Sequence, residues 1–351
     1  MFKREDTVYL KGIGILLIIF HNYFHNLNGA PGENEFAFYQ TPIFNLINNL
    51  IENPFDIAKQ FFSFFGHYGV QIFVFLSGYG LAISYKKQLS FFSFIKKRWL
   101  KIFPLLLGAM MIYVFPKIFY VWLWKNDIPL TIQLIKSSLL KLTFLANYFP
   151  GETLRLCGPW WFFSLIFQLY LLFPVLIKLK KEFLLVVIFF SWTIQLIVLG
   201  FFDVWYTEYL RYNFLGHLPE FCLGIYFVKC KIEKINPFVF LFSILMFCLS
   251  CVNQYFWVFS FFTIPLIVIY LYQIANINGS RKFHKIVMYF GYNSMYLFAV
   301  HGFLRKSFFD FANSSTLFSI VTLPLYLLAS LIVAHFLKLC LKKVDKIILK
   351  T

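Results

Sequence analysis

The chain is a succession of apolar runs about 20 residues long, parted by short charged stretches, and this pattern constrains its fold more than any single motif. A helix of that length crosses the hydrocarbon core of a bilayer, where each backbone N–H and C=O must find its partner within the helix. Composition agrees. Of 351 residues, 60% are hydrophobic and only 13% charged, against about 25% charged in a soluble globular domain. The expectation is an all-α, polytopic membrane protein over residues 1–351, with no separate soluble domain.

About ten spans can be placed, near residues 8–24, 66–85, 100–124, 159–179, 183–202, 213–228, 237–253, 256–275, 287–304 and 317–341. The first run follows Lys3-Arg4-Glu5-Asp6 and lacks a small-residue cleavage site, so it is expected to stay as a span. Residues 25–65 read as an outer loop carrying Glu33, Glu35, Glu52, Asp56 and one lysine, Lys59, with a short helix near 43–51. A second outer segment covers 125–158 and holds an amphipathic helix over 131–148.

Basic residues then orient the chain. With the N-terminus inside, the inner segments hold Lys3 and Arg4, then the cluster Lys86, Lys87, Lys96, Lys97, Arg98 and Lys101. Further on they hold Lys178, Lys180 and Lys181, then Lys229, Lys231 and Lys234, then Arg281, Lys282 and Lys285, and finally the tail lysines between 338 and 350. The opposite segments are mixed or acidic, so the positive-inside rule fits one orientation throughout, with both termini cytoplasmic. The net charge of +17 therefore reads as orientation and attraction to anionic lipid heads, with no nucleic-acid partner. The six cysteines are scattered and yield neither a disulfide framework nor metal-ligand spacing.

Ionisable groups inside a span are costly and invite a functional hypothesis. His21 lies toward the outer end of the first run, about 15 Å from Lys11 at 1.5 Å rise per residue. It is either a buried imidazole bonded to a carbonyl or a general base, since imidazole titrates near neutrality. His25, one turn on, reads as interfacial. The run 67–85 carries Gly69, Ser77, Gly78 and Gly80, which let a helix or a ligand approach the backbone. Arg98 and Lys101 share a helix face before Pro104; they either grip phosphates or only orient the span. Glu220 is either a helix N-terminal carboxylate favoured by the dipole or a partner that orients a histidine. His301, seven residues after Ser294, has a structural hydrogen bond as its alternative to a catalytic role. No Ser-His-Asp set, metal site, P-loop or dinucleotide fingerprint is spelled out. These residues alone are compatible with a transporter or a membrane enzyme.

The motifs separate the two. Lys11-Gly-Ile-Gly-Ile-Leu-Leu-Ile-Ile-Phe-His21 resembles the opening of the acyltransferase-3 family, membrane-bound O-acyltransferases that modify bacterial surface polysaccharides. Gly69-Val-Gln-Ile-Phe-Val-Phe-Leu-Ser-Gly-Tyr79 is similar to its second-span signature, and Lys97-Arg98-Trp-Leu-Lys101-Ile-Phe-Pro104 to its paired-arginine motif. Trp161-Phe-Phe-Ser-Leu-Ile-Phe-Gln-Leu-Tyr170 running to Pro174, Leu218-Pro-Glu-Phe-Cys-Leu-Gly224, and Gly291-Tyr-Asn-Ser294 leading to His301 follow in the family's order.

The resemblance implies a ten-helix enzyme of the cytoplasmic membrane that moves an acyl group, commonly acetyl from acetyl-CoA, to a hydroxyl of a polysaccharide or lipid-linked glycan. It implies His21, with Glu220 and His301, as catalytic candidates, and Lys11, Arg98, Lys101, Ser77 and Tyr79 as candidates to bind the acyl-CoA, with no metal. Such chemistry needs a base for the attacking hydroxyl and donors for the oxyanion. Three departures stand out. The family usually has arginine at the position of Lys11, with its histidine eleven residues on; here it is ten, a rotation of about 100° on an ideal helix. Lys101 replaces an arginine, which keeps the charge and loses the bidentate fork. Longer members also carry an extracytoplasmic hydrolase-like domain with no counterpart in these residues. The competing expectation, a transporter of a lipid-linked sugar or small solute, rests on the span layout alone, without a visible inverted repeat.

Overall fold

The computed structural model describes residues 2–85, 90–278 and 281–348; Lys86 and Lys87 of the basic cluster lie outside the described residues. Within them the chain is helical and contains no strand. In order, the helices are α1 (Arg4–Phe24), α2 (Thr41–Glu52), α3 (Ile57–Phe65), α4 (Gly69–Ser84) and α5 (Phe91–Leu123). There follow α6 (Ile128–Leu142), α7 (Trp161–Leu176), α8 (Lys181–Phe201), α9 (Val204–Tyr212) and α10 (Leu218–Lys229). The last five are α11 (Pro237–Val252), α12 (Gln254–Asn278), α13 (Arg281–Leu304), α14 (Phe309–Ala312) and α15 (Thr316–Ile348).

By length and composition, 7 helical stretches among the described residues can cross a membrane: Arg4–Phe24, Pro54–Ser84, Phe91–Leu123, Gly158–Leu176, Lys181–Phe201, Gln254–Ala275 and Thr316–Lys342. The other three expected spans fall on α10, α11 and α13. With 12 and 16 residues, α10 and α11 rise only about 18 and 24 Å, short of a hydrocarbon core of about 30 Å. Helix α13 has 24 residues, but its stretch 287–304 carries Tyr289, Tyr292, Asn293, Ser294 and His301, which lower its hydropathy.

Local boundaries have local causes. The second span starts at Pro54 rather than near residue 66, because α3 continues through the turn Gly66–Tyr68 into α4. The amphipathic helix expected over 131–148 is α6, which stops at Leu142, ahead of Phe144 with φ of 60°. Helix α5 starts at Phe91 because the Ser90 hydroxyl accepts the Ser93 N–H, a side-chain N-cap.

Helix α1 runs through the middle and packs on α3, α4 and α13. Two pairs of glycines set how closely helices approach. A Cβ on Gly12 would lie 2.1 Å from the Val287 carbonyl oxygen, and one on Gly291 2.0 Å from that of Val8, so α1 and α13 touch backbone to backbone. The same holds for α4 and α10, where Cβ atoms on Gly78 and Gly224 would each come within 2.2 Å of a carbonyl oxygen, on Phe221 and Phe75. This is the small-residue contact that membrane helices use in place of a hydrophobic drive. Outside, Phe189 and Phe190 of α8 and Leu325, Leu328, Ile332 and Phe336 of α15 are exposed, an apolar surface suited to lipid.

Candidate active site

Five helices frame two cavities set end to end. One, of about 520 Å³, contains His21; the other, of about 270 Å³, contains Arg98. Helix α1 sends Lys11 to the Arg98 cavity and Ile18, His21 and Asn22 to the His21 cavity. Helix α5 divides in the same way, with Arg98, Lys101 and Ile102 in one and Tyr113 and Lys117 in the other. So do α4 at Val70 and Phe73, α7 at Trp161 and Phe162, and α13, where Phe298 lines both cavities.

His21 is buried on the wall of its cavity. Its Nδ1 lies 3.0 Å from the Ser63 carbonyl oxygen and 3.3 Å from that of Phe62, and only an N–H can face a carbonyl, so Nδ1 donates. Its Nε2 lies 2.6 Å from Glu33 Oε2, a short, charge-assisted contact. With Nδ1 already protonated, the two facing atoms hold one proton between them, as imidazolium and carboxylate or as imidazole and carboxylic acid. His25 stacks on the ring at 4.4 Å and His67 meets it edge-on at 5.6 Å. The ring's position is also set from behind, since a Cβ on Gly66 would lie 2.6 Å from that of His21.

The loop after α1 supplies the acids. Burial works to raise the Glu33 carboxyl, but the adjoining His21 outweighs it and holds it well below the usual carboxylate range. Glu35 goes the other way, raised by burial and by the charge of Glu33. Burial pushes His25, just past the end of α1, down to about 4, so it is neutral against His21. His21, Glu33 and His67 also offer three ligand atoms within 4.8 Å of one another. A metal bound to both His21 and Glu33 at about 2.1 Å in tetrahedral geometry would hold those atoms about 3.4 Å apart. In this structure they stand 2.6 Å apart, the separation of a pair sharing a proton.

The Arg98 cavity has the opposite character. Lys11, Arg98 and Lys101 line it together with Ser77, Tyr170 and Ser294, and no described acidic residue does. The Arg98 guanidinium sits 5.4 Å from the Phe94 ring centroid, and its Nε is buried without a hydrogen-bond partner. Three cations with no carboxylate to neutralise them make a site for an anion.

Four of the five cofactor candidates thus meet here: Lys11, Ser77, Arg98 and Lys101. Tyr79 does not. It is fully buried, its hydroxyl accepts the Phe2 backbone N–H at 2.7 Å, and its ring packs on Phe2 and Phe75. Lys11 belongs to this cavity and not to His21, because α1 is an unbroken helix and no bulge turns the two side chains to one face.

Glu220 and His301 line neither cavity. Glu220 sits fully buried in the first turn of α10, with Oε1 3.4 Å from Nδ1 of His217, whose Nε2–H donates to the Arg211 carbonyl at 2.9 Å. The histidine beside Glu220 is His217, not His21. His301 Nδ1–H donates to the Leu297 carbonyl of its own helix at 3.0 Å, and Tyr326 donates to the His301 carbonyl at 3.0 Å. Glu33, read in the sequence only as a loop acid, and His67 are the residues that reasoning from runs and motifs missed.

No curated protein and no solved structure matches the chain. A family model described as an acyltransferase domain matches residues 8–338, from α1 into α15 and across every wall of both cavities. The chain belongs to the acyltransferase-3 family and is a multi-pass membrane acyltransferase.

Proposed function

We propose that this acyltransferase moves an acyl group, most readily acetyl, from acyl-CoA to a hydroxyl of a cell-surface polysaccharide or its lipid-linked precursor. The observation that carries the reading is the pair of cavities on one set of helices, three unneutralised cations in one and the His21–Glu33 pair in the other. Lys11, Arg98 and Lys101 take the phosphates of the donor, with Ser77 beside them. The excess of basic residues on the Lys11 side of the spans puts that cavity toward the cytosol, where acyl-CoA is made.

The thioester end then extends past Phe298 to His21, about 15 Å along α1 from Lys11. The acceptor hydroxyl enters the larger cavity and attacks the thioester carbonyl carbon. Its proton passes to the His21–Glu33 pair, the carbon–sulfur bond breaks, and the pair returns the proton to the leaving thiolate. Glu220 and His301 serve as supports behind the walls.

The test is transfer of label from radiolabelled acetyl-CoA to a polysaccharide acceptor by the purified protein in lipid nanodiscs. His21→Ala should lower the rate by about 10²–10⁴, the range for a lost general base, with acetyl-CoA affinity kept. An inserted His21→Ala protein that acetylates at the normal rate would refute the assignment.

A further inference from the structure

The rim of the His21 cavity is basic, and the roles assigned so far use none of that charge. Lys117 at the far end of α5, Arg155 in the segment before α7, and Arg305 and Lys306 just after α13 all line it. On the orientation favoured by the loop charges, these residues lie on the side where cations are scarce, so the positive-inside rule does not explain them. Arg155 is partly neutralised, with Nε 3.4 Å from Glu152 and 3.3 Å from the Gly151 carbonyl. Lys117, Arg305 and Lys306 have no carboxylate at ion-pair distance among the described residues.

Arg305 ties this rim to the reacting group. Its Nη1 donates to Asn22 Oδ1 at 2.7 Å, one residue from His21, while its Nε is buried without a partner. The two acids of the cavity do not offset the rim. Glu33 is paired with His21, and burial favours the neutral form of Glu35. The cavity therefore carries its positive charge at the mouth and its proton-handling pair within.

We propose that the acceptor is an anionic glycan, a saccharide bearing carboxylate or phosphate groups. Its negative charges seat on Lys117, Arg305 and Lys306 while a nearby hydroxyl meets the His21–Glu33 pair. This rests on the reading of the His21 cavity as the acceptor site, but not on the identity of the acyl donor.

The experiment measures binding by calorimetry on the intact protein in nanodiscs of zwitterionic lipid, so that headgroup charge plays no part. The probes are a galacturonate hexasaccharide, the same hexasaccharide with its carboxylates methyl-esterified, and a neutral glucose hexasaccharide bearing one phosphate. The uronate should bind about tenfold tighter than its ester, with the difference shrinking at about 0.5 M salt. The Lys117→Gln/Lys306→Gln double variant, which alters only exposed side chains, should lose most of that preference and keep its affinity for acetyl-CoA.

Whichever charged sugar binds tighter tells carboxylate from phosphate as the recognised group. Uronate and phosphorylated sugar both binding no tighter than the ester, a preference that survives in the double variant, or a double variant weakened toward acetyl-CoA would each overturn the proposal. A protein that keeps the charge preference but never transfers label from acetyl-CoA would instead sink the acyl-donor reading.

Discussion

What each nitrogen of His21 faces determines what the residue can do. With Nδ1–H held by the Ser63 carbonyl and Nε2 set 2.6 Å from Glu33, the imidazole is not a free base waiting for substrate. It is half of a pair that holds one proton and has room for a second on the carboxylate. Glu33→Gln removes that room, because an amide nitrogen would donate to Nε2 and occupy its lone pair. The variant should lose about 10²-fold in kcat with KM for acetyl-CoA unchanged, and the pH dependence of kcat should flatten; a normal kcat would show that Glu33 only fills space.

Glu35 gives a separate handle. Its carboxyl is raised, first by burial and then by Glu33, so the folded protein holds a proton there that the unfolded chain releases at lower pH. Stability from this group is thus lost as pH rises above the ordinary carboxylate range. Glu35→Gln should gain in melting midpoint over the parent as the pH is raised, with no gain near pH about 4, where both states are protonated. A gain that is constant with pH would contradict the raised carboxyl.

Helix pairs are the next scale up, and there the glycines decide. A Cβ at Gly78 would stand 2.2 Å from the Phe221 carbonyl oxygen, whereas one at Gly80, two residues on, would meet nothing within 4 Å. Gly78→Ala should therefore cost about 1–3 kcal/mol through overpacking, lowering the melting midpoint by several degrees, and should shift Ser77 away from the Arg98 cavity. Gly80→Ala is the control and should be neutral in thermal unfolding; equal effects at both positions would rule out a backbone contact between α4 and α10.

The small residues of this stretch were visible in the sequence, but their partner was not, since Gly224 lies on a helix more than 140 residues away. The same limit hid Glu33. Nothing local ties a loop carboxylate to a histidine twelve residues back; only the way the loop folds over the end of α1 brings them together. Apolar run length, by contrast, is dictated by the bilayer and was readable at seven of the ten expected spans, as was the shared face of Arg98 and Lys101. Tyr79 could have been set aside on spacing alone, since two residues on a helix turn the side chain about 200° from Ser77.

At the scale of the molecule, the proposed route of acyl transfer requires the two cavities to communicate, and Phe298 lines both. It is 7% exposed, with its ring 5.1 Å from Phe162, 5.7 Å from Phe163 and 5.7 Å from His301. On that route the ring would have to let an extended arm pass while limiting water, which would otherwise hydrolyse the thioester before the acceptor arrives. Phe298→Trp adds bulk at the crossing and should lower transfer without changing the affinity for acetyl-CoA or for the acceptor, which the proposed reading assigns to other residues. Phe298→Ala opens the crossing and should raise acceptor-independent release of free CoA relative to transfer, read in parallel as thiol appearance and labelled glycan. Two cavities that never exchange the acyl group would leave both ratios as in the parent protein, and the route along α1 would then have to be given up.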